Sequence, residues 1–279
     1  MAVPGTVVTS RSGHRTARGG REEDSGMGAY EDKRAVVVGG THGMGLGVVE
    51  ELLAGGAKVL LTGNNDKNLE EVRGRFGPRV QAVRADAARV EDADVLAEAV
   101  RETLGGIDFL HVNVGVAAAE PFATVTEETY EWMFGINAKG AYFTVQRLAP
   151  MIVEGGSIVF TTSVTNATGS GGLSVYTGTK AAVAGFARTF AAELMSRGIR
   201  VNSVAPGFVH TRSGGFAGAS AEERAAIEAA GDQATPMGRH GTVAEVARAV
   251  LFLGFDATFT TGAELPVDGG LGPALQPFG

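Results

Sequence analysis

Arg34-Ala35-Val36-Val37-Val38-Gly39-Gly40-Thr41-His42-Gly43-Met44-Gly45-Leu46 is the stretch that decides the fold. Ala35 to Val38 is an unbroken apolar run, the pattern of a strand buried on both faces rather than one. Glycines then interrupt it, and a helical period follows over 44–55. A glycine-rich turn between strand and helix lets backbone N–H groups approach an anion, while the helix N-terminus supplies positive potential. Any tight α/β connection can use such glycines. Its place at the first strand-to-helix junction makes this one a candidate phosphate site.

The same alternation continues outward. Strand-like runs occupy 34–38, 57–62, 79–84, 107–112, 156–161, 199–204 and 263–267, and helical periods fill 44–55, 66–75, 92–103, 127–153, 175–197 and 243–253. Strands separated by helix-length connections require right-handed crossovers, hence a parallel sheet covered on both faces. The expected fold is a doubly wound α/β (Rossmann) domain with seven parallel strands, spanning 31–279. Residues 1–30 carry no sustained period and read as a disordered N-terminal extension.

Composition narrows the function. The formal charge is −7, with no basic block in the globular part, which disfavours nucleic acid as a partner. There is no cysteine, which removes disulfides, thiolate catalysis and thiolate-ligated metals, and fits a reducing cytoplasm. The five histidines lack ligand-like spacing, so no metal is expected. No apolar run reaches the roughly 18–20 residues that span a bilayer, so no membrane partner is expected.

Tyr176 and Lys180 are four apart at the start of a helical period, one turn of a helix and therefore one face. A phenol has a reference pKa near 10, too high for ready proton exchange at neutral pH, and a neighbouring ammonium favours its ionised form. The spacing alone is common on solvated helices. Ser163 lies thirteen residues earlier, at the end of the strand Ser157-Ile158-Val159-Phe160-Thr161-Thr162, and Asn137 lies earlier still in Asn137-Ala138-Lys139-Gly140.

Taken together, these elements resemble the short-chain dehydrogenase/reductase family over about residues 33–272. Gly39, Gly43 and Gly45 match its Thr-Gly-x-x-x-Gly-x-Gly turn, with Val38 in place of the Thr that braces the turn; Thr41, His42 and Met44 complete the loop. Asn113 and Gly115 match its Asn-Asn-Ala-Gly motif, where Val112 replaces the first Asn and removes a structural hydrogen bond of the central sheet. The resemblance implies that Asp86, followed by Ala87, contacts an adenine, and that Val209 and Thr211 of Pro206-Gly207-Phe208-Val209-His210-Thr211 meet a nicotinamide carboxamide.

It further implies that Ser163 binds the substrate oxygen and Tyr176 donates a proton to it. Lys180 then binds the nicotinamide ribose, and the Asn137 carbonyl holds a relay water. At the end of the second strand stand Gly63, Asn64 and Asn65, with no acid at 63 to bind a ribose 2′-hydroxyl and repel a 2′-phosphate. With His42 in the turn this favours NADPH, and NADH stays open.

The expected reaction is an NADPH-dependent carbonyl reduction, of a cyclic, quinone-like or polyketide ketone. An NAD-dependent secondary alcohol dehydrogenase and a non-catalytic NAD(P) sensor are the alternatives. Residues 208–236 are expected to form a substrate lid with a short helix over 222–230. Phe122, the 169–172 glycine stretch, Phe208 and Phe216 are candidate pocket walls, and His210 a candidate polar contact. The resemblance also implies a homotetramer.

Overall fold

The computed structural model describes residues 28–211, 220–272 and 275. The expectation for 1–30 therefore lies outside the described residues, except for 28–30.

Seven parallel strands form one sheet: β1 (Arg34–Val38), β2 (Lys58–Gly63), β3 (Val80–Arg84), β4 (Ile107–Val112), β5 (Ile152–Thr161), β6 (Arg200–Pro206) and β7 (Glu264–Val267). Their order is β3-β2-β1-β4-β5-β6-β7, the doubly wound arrangement expected. Helices α1 (Gly43–Ala54), α2 (Asp66–Phe76) and α3 (Val90–Thr103) follow the first three strands. Then come α4 (Glu127–Phe134), α5 (Ala141–Leu148), α6 (Ser174–Leu194), α7 (Ala221–Ala234) and α8 (Val243–Leu251).

Consecutive strand residues serve opposite cores, which is why the strands read as unbroken apolar runs. Val37, Leu61, Phe109 and Val159 pack with Val48 and Leu52 of α1, Leu69 of α2 and Val246 and Val250 of α8. Val36, Leu60, Leu110 and Ile158 pack with Leu96 and Val100 of α3, Val145 and Leu148 of α5 and Val183 and Phe190 of α6. Leu60, Leu61 and Phe109 are wholly inaccessible to solvent, and each such side chain contributes about 1.5–3 kcal/mol by leaving water.

The helical period expected over 127–153 is instead four consecutive segments. α4 passes into a π-helical turn at Gly135–Gly140, then into α5, and a 3-10 turn at Ala149–Met151 ends it. Pro150 in that last turn has no N–H to continue a helix. β5 starts at Ile152, four residues before the expected 156; Ile152 pairs with Ile107, and the register shifts before Phe109 meets Ser157. Gly155, at φ +75°, lies in the irregular part. The apolar period therefore ran through a boundary that only the proline marked.

Candidate active site

β1 and β4 are neighbours, and the chain leaves them towards opposite sides of the sheet, opening a crevice at their carboxyl ends. A cavity of about 970 Å³ fills it. At one end lies the glycine turn. Gly39 has φ +76° and Gly43 has φ +56°, both in the left-handed region that favours glycine. His42 occupies the N-cap of α1 without a side-chain cap, so the first-turn N–H groups face a site that suits a phosphate.

A Cβ on Gly45 would overlap the Gly39 carbonyl oxygen and lie 2.8 Å from Asn113 Nδ2. The turn can close only because position 45 has no side chain. The brace missing at Val38 comes from the neighbouring strand, where the Thr62 hydroxyl accepts the Gly39 N–H at 3.1 Å.

Most of the expected cofactor residues line this cavity: Gly39, Thr41, His42, Gly43 and Met44 at the turn, then Gly63, Asn64, Asp86 and Ala87. Asn113, Gly115, Pro206, Gly207, Val209 and Thr211 line it further along. Gly45 supports the turn from beneath. The Asn65 side chain caps α2, accepting the Asn68 N–H at 3.1 Å, and stands apart from the cavity lining. Asp86 Oδ1 accepts the Ala88 N–H at 3.0 Å, and the Asp86 N–H is held by Asp92 at 2.8 Å. A Cβ at Gly63 would come within 2.5 Å of Thr41 Cγ2, so no carboxylate fits there while Thr41 holds its place.

Ser163, Tyr176 and Lys180 converge on the other part of the same cavity. Ser163 follows β5 and is 7% exposed; its hydroxyl accepts from the Thr165 hydroxyl at 3.0 Å. Tyr176 and Lys180 lie in the first two turns of α6. Lys180 is 4% exposed and donates from Nζ to the Thr161 carbonyl at 3.0 Å.

Burial pushes the Lys180 ammonium down to about 8. Burial also raises the Tyr176 phenol above its ordinary value, against the opposing effect of a hydrogen bond with Ser163. This corrects the expectation that the ammonium draws the phenol down. Nζ is 5.8 Å from the ring centroid and turned to Thr161, so desolvation outweighs charge attraction.

Asn137 is fully buried in the π-helical turn, outside the cavity lining. Its side chain makes three hydrogen bonds: Oδ1 accepts the Val116 N–H at 2.8 Å, and Nδ2 donates to the Val116 carbonyl at 2.8 Å and the Thr179 hydroxyl at 3.0 Å. It ties the loop after β4 to α6. Turns of this kind loosen the helical hydrogen-bond ladder and recur at functional sites.

A family model described as "Enoyl-(Acyl carrier protein) reductase" matches residues 38–272. Oxidoreductase asL5 of Sarocladium schorii is 34% identical, the match covering 86% of this chain and 95% of that protein. The 3-oxoacyl-[acyl-carrier-protein] reductase MabA of Mycobacterium tuberculosis is 33% identical over 87% of this chain and 94% of its own. The L-rhamnose 1-dehydrogenase (NAD(P)(+)) of Azotobacter vinelandii is 33% identical over 88% and 98%. The chain belongs to the short-chain dehydrogenase/reductase family. The crystal structure of a short-chain dehydrogenase/reductase from Brucella melitensis superposes with a TM-score of 0.78 at 28% identity, covering 88% of this chain and 98% of that one.

Like those relatives, this short-chain dehydrogenase/reductase is an oxidoreductase. Beside its cavity, α7 runs over Ala221–Ala234, longer than the expected 222–230. The His210 imidazole pairs with Glu228 at 3.0 Å and stacks at 4.8 Å on His240, which Asp232 holds at 2.6 Å. Two histidine–carboxylate pairs thus fasten α7 to the segments beneath it, an arrangement the sequence reading missed because its members are far apart in the chain. Phe208 lines the cavity; Phe122 is 83% exposed and does not, and of the 169–172 stretch only Ser170 does. Phe216 lies outside the described residues. Among the described residues no three His, Asp or Glu are placed to hold a metal, and no helix is long and apolar enough to cross a membrane.

Because a Cβ at position 45 has backbone against it, Gly45→Ala is expected to weaken binding of a nicotinamide dinucleotide, NADPH or NADH, at least about tenfold, the effect of about 1.4 kcal/mol of overpacking. Fluorescence titration of the folded variant measures it; wild-type affinity would show that the turn does not seat the nucleotide.

Proposed function

We propose that this enzyme is an NADPH-dependent carbonyl reductase acting on a ketone, of cyclic, quinone-like or polyketide type. The observation that carries the reading is the convergence of Ser163, Tyr176 and Lys180 on one cavity whose far end is the glycine turn. The residues around the turn suit NADPH: uncapped N–H groups for phosphate, a neutral Asn64, and a Gly63 that leaves no room for an acid. Bound there, the nicotinamide supplies the hydride that reduces a carbonyl carbon.

The protein's part is positioning and proton supply. Ser163 and Tyr176 hold the carbonyl oxygen, and their hydrogen bonds strengthen as negative charge develops on it. Tyr176 gives that oxygen its proton. With its pKa above the ordinary phenol value, Tyr176 is protonated at neutral pH and so has a proton to give. Lys180 supplies positive charge beside it, and Asn137 holds the helix turn from which a relay water is reached.

The same residues run in reverse serve an NAD-dependent secondary alcohol dehydrogenase, which the neutral Asn64 also admits. A non-catalytic NAD(P) sensor would have no use for Ser163, Tyr176 and Lys180 together. We place the enzyme in the cytoplasm as a homotetramer; exposed Tyr130 and Trp132 on α4 are apolar surface that subunit contact would cover.

Two outcomes test the mechanism. Tyr176→Phe should lower kcat on a ketone panel by about 10²–10⁴-fold, as loss of a general acid does, while NADPH affinity changes little. Near-full turnover would remove Tyr176 from its role. The reduction rate should also fall as pH rises through about 8, where the Lys180 ammonium is lost. Lys180→Met should abolish that limb, and a limb unchanged in this variant would assign it elsewhere.

A further inference from the structure

His111 lies on β4 with no solvent exposure, in a strand otherwise apolar from Phe109 to Val112. Nε2 is 2.9 Å from the Thr161 hydroxyl oxygen, while Nδ1 is buried without a hydrogen-bond partner. Burial pushes the imidazole down to about 3, so the ring is neutral and carries a single N–H.

Where that hydrogen sits follows from the other end of a chain. The Gly39 carbonyl can only accept, and the Asn113 side chain reaches it at 3.2 Å, so Asn113 presents its NH2 to Gly39. Asn113 Oδ1 therefore faces Thr161, whose hydroxyl donates to it at 3.0 Å. Having given its only hydrogen, the Thr161 oxygen must accept from His111. The proton is on Nε2, and Nδ1 is the bare nitrogen.

We infer that His111 is a positioning residue for the cofactor: through Thr161 and Asn113 it orients the Gly39 carbonyl and so holds the glycine turn in its binding shape. The chain of donors runs in one direction, from the centre of the sheet to the pyrophosphate turn. Thr161 joins the two halves of the site, since its side chain passes this orientation to Gly39 and its carbonyl receives Lys180. The inference rests on the reading of the turn as a nucleotide seat.

The test uses full-length protein with NADPH and NADH as probes. His111→Leu keeps the volume and removes the N–H. Both dissociation constants should rise about five- to tenfold, the size of a lost neutral hydrogen bond. The melting temperature without nucleotide should hold or rise, because a buried unpartnered nitrogen has gone; a merely structural role would lower stability and affinity together. His111→Gln returns an N–H near the Nε2 position and should bind within about twofold of wild type. Thr161→Val should reproduce the loss, and adding His111→Leu to it should cost nothing further.

Should His111→Leu fail to fold, weak binding by Thr161→Val beside normal binding by His111→Gln still supports the proposal. Wild-type affinity in His111→Leu, failure of His111→Gln to restore binding, or additive losses in the double variant would each overturn it. Wild-type protein that binds neither nucleotide would overturn the cofactor reading itself, and this proposal with it.

Discussion

The approach of α1 to the Gly39 carbonyl, across a position where no side chain fits, is the constraint on which the site depends. Gly45 permits it, and Asn113 fills the remaining space with a hydrogen bond to the same carbonyl. The helix can then point its uncapped N-terminus into the crevice between β1 and β4. Were that turn wider, the sheet could still form, since its two cores are built from residues on either face of the strands. The cavity would lose the end proposed to seat the nucleotide.

At the other end the balance is electrostatic. A lysine 4% exposed, held by a backbone carbonyl rather than a carboxylate, keeps its charge only weakly, and a phenol beside it is harder to ionise. Both shifts have one cause, the removal of water from the wall that Ser163, Tyr176 and Lys180 share. That environment favours a neutral phenol poised to donate a proton and a cation whose state changes just above neutrality.

The seven parallel strands and the two-faced core were legible because unbroken apolar runs and helical periods are strong signals over many residues. Gly39, Gly43, Ser163, Tyr176 and Lys180, which line one cavity, stood out because their types and spacing resemble the family's motifs. Less could be read where distant segments meet. Thr62 bracing the turn in place of a residue at 38, and His240 seated on Asp232 beneath α7, depend on contacts that no local pattern encodes. The break of the 127–153 period at Gly135 and again at Pro150 was hidden by apolar residues continuing on one face. His111 did leave a trace, a lone imidazole in a core strand, although its meaning required Thr161 and Asn113 in place.

The central claim is that one cavity brings a nicotinamide hydride to a carbonyl held by Ser163 and Tyr176. The most direct measurement is label transfer from NADPH deuterated at one C4 position of the nicotinamide, read by NMR of the alcohol formed from a panel of cyclic and β-keto ester ketones. The account predicts deuterium on the carbinol carbon from one C4 face only, with none exchanged into solvent. Tight NADPH binding with no label reaching any carbonyl carbon would contradict it.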